Sequence, residues 1–122
     1  MVESTIAEYI ADETSLVLGE DIYLSELFED DREGLSVNFG HNLDADGKLS
    51  YCSLNIFLFY YDYVVCRGHV DTLTALFDSA RGTTDGSWTV AEEVSSQYLG
   101  KDQAGRYVFS IGLKISYDKS MI

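Results

Sequence analysis

The sequence predicts an α+β domain whose mostly antiparallel sheet carries two main helices packed on one face, in the order α-β-β-β-α-β-β. Three observations predict this class. Two segments have apolar residues at helical spacing, several segments alternate apolar and polar residues as strands do, and turns rich in Gly, Asn and Asp separate the strands. The 122 residues fit one domain, residues 1–122, without an internal repeat or a linker.

A first helix is predicted over roughly residues 4–13. Thr5 and Glu8 have the spacing of a capping box, which favours a helix start at this point. The apolar residues that recur at helical spacing are Val2, Ile6, Tyr9 and Ile10.

Three strands are predicted to follow the first helix. Residues 21–27 indicate a short strand, and residues 34–40 indicate a half-buried strand between two glycines. The strongest signal covers residues 49–65, where both faces are partly apolar, so we expect this strand to be central in the sheet. One of its faces carries Cys52, Leu54, Ile56, Leu58 and Tyr60.

A second helix is predicted over residues 68–82, with Gly82 as its C-terminal cap. Its apolar stripe consists of Val70, Leu73, Phe77 and Ala80. We expect this stripe to cover the central strand, so that Leu54, Ile56 and Leu58 pack against Leu73 and Phe77.

A closing hairpin is predicted from residues 88–100 and 106–119, which both have the alternation of strands. Strand 107–117 carries few charges beyond Lys114, which makes it a weakly guarded edge. We therefore expect a neighbouring subunit, a loop or the apolar end Met121-Ile122 to cover that edge.

Residues 42–53, NLDADGKLSYCS, have much of the pattern of a calcium-binding EF-hand loop. Asn42, Asp44 and Asp46 supply oxygens at loop positions 1, 3 and 5, and glycine follows at position 6. Position 12 is Ser53 instead of the glutamate that binds calcium with both oxygens, and the flanking segments have strand patterns. We interpret the segment as a hairpin turn, with these three side chains as weak candidate metal ligands.

No pattern in the sequence indicates catalysis or a cofactor. The two glycine motifs that bind phosphates, G-x-x-x-x-G-K-[ST] and G-x-G-x-x-G, do not occur. His41 abuts a turn, and His69 is expected to be exposed near the start of the second helix. The neighbours Glu92 and Glu93 would alternate faces in a strand, so they do not form an acid–base couple by spacing. We therefore predict that the protein is not an enzyme, with no catalytic, cofactor-binding or metal-binding residues.

The two cysteines have no metal-ligand spacing. Cys52 and Cys66 are interpreted as core thiols of a protein that folds in a reduced cytoplasm. The chain also lacks an 18-residue apolar run and a basic leader before an apolar stretch, so neither a membrane span nor a signal peptide is expected.

Charge is unevenly distributed along the chain. The net charge is −13, and residues 1–33, with 11 acids and one base, hold −10 of it. Such a surface repels the backbone of nucleic acids, so sequence-specific binding to DNA is disfavoured. The acids suit either a basic protein partner or a passage through which DNA slides. The nine tyrosines fit an interface or ordinary strand propensity equally well.

Three stretches together resemble the tail-terminator, or minor capsid, proteins of long-tailed bacteriophages. IAEYIADETSLVLGEDIYLSEL is similar to the opening of that family, and LNIFLFYYDYVVCRGHVDTLTALFDSARG is similar to its long strand and amphipathic helix. SSQYLGKDQAGRYVFSIGLKISY resembles its closing hairpin, where Leu99-Gly100-x-Asp102-x-x-Gly105-Arg106 leads into a strand. The chain departs from the family pattern in having no proline.

The resemblance implies a structural virion protein, assembled in the host cytoplasm and located in the tail and neck. It implies a ring, usually a homohexamer, that stops growth of the tail tube and joins the tail to the head-completion proteins. The implied partners are further copies of the chain, the tail tube protein and a head-completion or neck protein. DNA would pass through the lumen, and no membrane is involved. The alternative hypothesis is an acidic DNA-mimic inhibitor that binds a basic protein groove.

Overall fold

The structure is a computed structural model that describes residues 2–24, 32–46, 49–79, 88–90 and 94–118. Over these residues, two helices and a six-stranded sheet confirm the predicted α+β class. The elements in chain order are α1 (Val2–Glu13), β1 (Ile22–Leu24), β2 (Gly34–Asp46), β3 (Leu49–Tyr60), α2 (Tyr63–Ser79), β4 (Trp88–Val90), β5 (Ser95–Lys101) and β6 (Tyr107–Asp118).

The sheet has the strand order β1-β2-β3-β6-β4, and β5 pairs with β6 on the same side as β4. All pairs are antiparallel except β1–β2, which is parallel. β3 and β6 pair along their whole lengths, from Leu49↔Asp118 to Tyr60↔Tyr107, and β3 is central as expected. The expectation that strand 107–117 forms an edge was wrong, because β6 has neighbours on both sides. Among the described residues, the edge on this side of the sheet is formed by β5 and β4 instead.

The core lies between the sheet and the two helices, which cover one face of it. One cluster of buried residues contains Leu54, Ile56 and Leu58 of β3 together with Leu73 and Phe77 of α2, all fully buried. This cluster confirms the predicted packing of α2 on β3. α1 contributes Ile6 and Ile10 to the same cluster. In the part of the chain that the structure describes, neither helix is long and apolar enough to cross a membrane.

The first helix begins earlier than its capping-box pattern indicated. α1 starts at Val2, so Thr5 and Glu8 lie inside the helix, and their interpretation as a capping box was wrong. The physical reason is the apolar stripe, whose helical spacing already includes Val2 and continues through the buried Ile6 and Ile10.

The second helix also begins earlier than predicted, at Tyr63 instead of residue 68, and β3 ends at Tyr60 instead of residue 65. Asp62 causes this start. Its Oδ1 accepts hydrogen bonds from the backbone N–H groups of Val64 at 2.8 Å and Val65 at 3.2 Å, which satisfies donors that a helix start leaves unpaired. The predicted helix end at Ala80 and Gly82 lies outside the described residues.

The segment 88–100 forms two strands instead of one. Val90 pairs with Ile115 and Ser95 pairs with Gly112, so five steps along this segment correspond to only three along β6. The two extra residues interrupt the ladder, which separates β4 from β5. Trp88, Val90 and Val94 are nevertheless buried on the core side, as their alternation predicts.

Candidate interaction surface at the β5 edge

Aromatic side chains from α2, β5 and β6 meet at the open edge of the sheet. Tyr63, the first residue of α2, has its ring centroid 5.9 Å from that of Tyr98, 5.4 Å from Tyr107 and 5.7 Å from Phe109. Tyr98 and Phe109 lie 5.0 Å apart. Tilted and edge-on arrangements at these distances are favourable for aromatic pairs, so the cluster attaches the start of α2 to β5.

Several large apolar side chains around this cluster remain open to solvent. Val64 is 76% exposed, and the other members are each between 40% and 47% exposed. We call these residues the β5-edge patch: Tyr63, Val64, Val65, Tyr98 and Leu99. Tyr63 contacts Tyr98, so exposed apolar residues at the start of α2 lie close to exposed apolar residues of β5. Exposed apolar residues that group in this way are typical of an interaction site.

A β-bulge lies at the position of Leu99. Tyr98 pairs with Phe109 and Gly100 pairs with Val108, so Leu99 is an extra residue in the β5–β6 ladder. Gly100 has φ = +101°, a left-handed conformation that suits glycine. Bulges of this kind occur at sheet edges and redirect a side chain, and here the redirected Leu99 is 47% exposed.

The turn between β5 and β6 is closed by Asp102 and Arg106. The carboxylate of Asp102 accepts the backbone N–H of Arg106 at 2.9 Å and its Nε–H at 2.8 Å, and Nη2 of Arg106 lies 2.7 Å from Oδ2. Arg106 also donates from Nη1 to the backbone carbonyl of Arg32 at 2.7 Å. The Arg106 guanidinium is almost fully buried and lies 4.9 Å from the ring centroid of Phe59. These residues of the predicted Asp102-x-x-Gly105-Arg106 segment therefore fix the turn that positions β5.

A first prediction concerns the stability of this turn. Burial alone would raise the pKa of Asp102, but the hydrogen bonds and the charge of Arg106 outweigh it and hold that pKa below its usual value. The folded pKa is depressed, so the stabilisation is present above about pH 3.9, the usual value for the unfolded chain, and is lost as pH falls through the folded pKa. We expect Asp102→Asn to cost about 1.5–3 kcal/mol at pH 7, the range for hydrogen bonds to charged groups.

The measurement is urea unfolding of both proteins between pH 7 and pH 3. The difference between wild type and Asp102→Asn should shrink as pH falls below about 3.9. Asp71→Asn is the matched control, because Asp71 and its partner Arg67 are 68% and 54% exposed and such surface pairs contribute little. Equal losses of unfolding free energy in the two variants would show that the Asp102–Arg106 interaction does not stabilise the turn.

The EF-hand-like segment forms part of a β-hairpin. Asn42 pairs with Cys52 and Asp46 pairs with Leu49, so strands flank the segment where an EF-hand has helices, and two residues separate the paired ends. The side chains of residues 41–50 lie outside what the structure describes. Elsewhere, no group of three or more His, Cys, Asp or Glu among the described residues is placed to hold a metal ion.

A second prediction concerns this hairpin. We expect the double replacement Asp44→Asn with Asp46→Asn to leave fold and assembly intact, because asparagine serves a tight turn as well as aspartate does. Calorimetric titration of the wild-type protein with calcium should give no heat of binding. Addition of calcium should also leave the melting temperature unchanged. A calcium-dependent rise in melting temperature that the double variant lacks would restore the metal interpretation.

The histidine and cysteine side chains that the structure describes are half-buried or buried. His69 is half-buried, with its ring stacked 4.8 Å from that of Tyr60, so the expectation that it is exposed was wrong. Burial lowers the pKa of His69, and Asp21 opposes that shift. Cys52 and Cys66 are free and buried, and burial raises the pKa of each thiol to about 11, which keeps both thiols protonated and unreactive at neutral pH. The side chain of His41 and the residues Glu92 and Glu93 lie outside the described part.

Sequence reasoning did not find the β5-edge patch. The nine tyrosines fitted an interface or ordinary strand propensity equally well, and two of them, Tyr60 and Tyr117, are buried. One signal was available, because Asp62 followed by Tyr63-Val64-Val65 has the form of a helix cap with apolar residues in the first turn. The meeting of this turn with β5 depends on tertiary structure.

Comparisons with protein-family models and with curated protein sequences give no match. One solved structure, of a protein whose name states no function, is similar over 96% of this chain and 90% of that chain, with a TM-score of 0.58. The two sequences are 11% identical, so the likeness shows the fold alone.

Proposed function

We propose that the protein is a structural virion protein, a tail terminator that forms a ring at the head-proximal end of the tail tube of a long-tailed bacteriophage. The observation that supports the proposal is the β5-edge patch, which lies beside a sheet edge that no other described strand covers. An exposed apolar surface of this kind is costly in an isolated chain and is covered when subunits associate. The resemblance of three segments to tail terminators supplies the kind of assembly, usually six copies.

The distribution of charge supports the same function. Residues 2–24 contain six acids and no base, and Glu8, Asp12 and Glu13 of α1 are exposed. A ring with these carboxylates at its lumen or rim would repel DNA phosphates, so DNA would pass without binding. The ring would stop addition of tube subunits on one side and contact a head-completion or neck protein on the other. The proposal assigns the protein no catalytic step and no cofactor.

The test is polymerisation of the tail tube protein encoded in the same genome, with and without this protein. We expect growth to stop, giving shorter tubes that carry the protein at one end, as seen by electron microscopy. An unrelated acidic protein of similar net charge is the control, because it separates specific termination from a charge effect. Tubes of unchanged length and without the protein at their ends would overturn the proposal.

The excess of 21 acids over 8 bases also favours a second candidate, a DNA-mimic inhibitor. Glu8 and Asp12 lie one turn apart on the exposed side of α1. Two carboxylates at this spacing are consistent with a row that imitates DNA phosphates. Such a protein would bind a basic DNA-binding protein, and DNA would compete with it. Binding of this kind, together with no effect on tube growth, would favour the inhibitor.

A further inference from the structure

We propose that neighbouring copies in the ring join head to tail, with the β5-edge patch of one copy packed against the β1 edge of the next. This inference rests on the proposed ring and names the surfaces that close it. The partner surface consists of Val17, Leu18 and Glu20, which we call the β1-edge surface.

The two surfaces lie at opposite edges of the sheet. β1 is the first strand in the spatial order, and β5 pairs with β6 at the other end. A ring needs a heterologous contact in which two different surfaces of the same chain meet, because a contact between identical surfaces closes after two copies. Opposite edges of one sheet supply two such surfaces.

The β1-edge surface has two exposed apolar side chains and is held in a defined conformation. Val17 is 46% exposed and Leu18 is 43% exposed. The turn that carries them is fixed by hydrogen bonds from the N–H of Asp21 to the carbonyl of Val17 at 2.8 Å, and from the N–H of Val17 to Oδ2 of Asp21 at 2.9 Å. An ordered turn therefore holds these exposed apolar side chains in place, which suits residues of an interface.

Both edges favour packing of side chains over continuation of the sheet. At the β1 edge, Ile22 already donates to the carbonyl of Val17 at 3.2 Å and accepts from the N–H of Gly19 at 2.9 Å. At the other edge, β5 carries the bulge at Leu99 and ends in Lys101, and both features discourage the addition of a strand. The contact is thus an apolar one between Val17 and Leu18 of one copy and the β5-edge patch of its neighbour.

Charge complementarity favours a second copy of the chain as the molecule that covers the β5-edge patch. Residues 2–24 carry six acids and no base, whereas residues 94–118 carry three bases and two acids, of which Arg106 and Asp102 pair with each other inside the turn. Glu20 beside Leu18 is exposed, and so is Lys101 at the end of β5. The pairing of unlike edges therefore places Glu20 near Lys101, whereas two β1-edge surfaces would place Glu20 near Glu20 and repel each other.

The experiment is cross-linking of rings on terminated tubes with a short bifunctional maleimide. The variant Leu18→Cys with Leu99→Cys should give a ladder of products that ends at the closed ring. Wild type is the first control, because Cys52 and Cys66 are buried and should not react. Each single-cysteine variant is a further control and should give only monomer.

Each outcome decides between defined alternatives. A dimer from Leu99→Cys alone would show that two β5-edge patches meet, and rings without cross-links in the double variant would show that other surfaces join them; both overturn the inference and leave the proposed function standing. Absence of rings in wild type would remove the proposed function itself.

A second pair of variants separates loss of the contact from misfolding. Glu20→Lys and Lys101→Glu should each reduce ring formation, and their combination should restore it. Failure of the combination to restore rings would count against the pairing.

Discussion

Replacing Leu58 with alanine is expected to lower the free energy of unfolding by about 2–5 kcal/mol, the range measured for large-to-small substitutions in cores. Leu58 is fully buried, and its cross-strand neighbours in β2 and β6 are Leu35 and Phe109. Both neighbours are buried in the same cluster, and they belong to paired strands that cannot close the space without shifting the central ladder. The measurement is equilibrium unfolding in urea or guanidinium.

Leu99→Ala is the matched control for this substitution. It removes the same atoms from a side chain that is 47% exposed, so a change within about 0.5 kcal/mol is expected. If Leu58→Ala also cost less than about 0.5 kcal/mol, the face of β3 assigned to the core would be wrong.

Replacing Val64 with glutamate is expected to abolish ring formation and leave the monomer folded. Val64 is 76% exposed, so the free chain loses little packing, and a carboxylate in the first turn of α2 suits the positive end of the helix dipole. In the assembled ring, the same carboxylate would enter an apolar contact and face the acids of the next copy, where burying an unpaired charge is strongly unfavourable. The measurement is the fraction of tubes that carry a ring, together with the melting temperature.

Ala75→Glu is the control for the added charge. Ala75 is exposed on the same helix, 11 residues or about three turns after Val64, and lies outside the β5-edge patch. This variant should form rings as wild type does. Equal loss of rings in both variants would show that net charge, not the β5-edge patch, governs assembly, and rings formed by Val64→Glu would remove the patch from the interface.

The elements with a clear periodic signal could be predicted from the sequence. Alternation identified the buried face of β3, and the spacing of Leu73 and Phe77 identified the stripe of α2 that covers it. These predictions succeeded because burial of one face imposes the pattern directly on the sequence.

The boundaries were less predictable, for identifiable reasons. Val64 and Val65 are β-branched and follow the apolar run of β3, so their sequence predicts a strand, although Asp62 caps a helix that contains them. The alternation of Trp88, Val90 and Val94 continues across the two extra residues that divide β4 from β5, so the pattern did not reveal the interruption.

The candidate surface could not be predicted because it is assembled from distant parts of the chain. Tyr63 and Tyr98 are 35 residues apart and meet only because α2 and β5 lie at the same edge of the sheet. The neighbours of β6 likewise depend on strand order, which is why its sequence, with few charges, was mistaken for an open edge. The suggested role of Met121 and Ile122 as an edge cover lies outside the described residues.

The proposed function requires that copies of this chain form a closed ring on the tail axis. Cryo-electron microscopy of assembled tails that contain the protein tests it most directly. We expect a complete ring around the axis at the head-proximal end of the tube, with the β5 edge of each copy against its neighbour. A single copy, or a position away from the axis, would contradict the ring, and absence of the protein from virions would favour the DNA-mimic inhibitor instead.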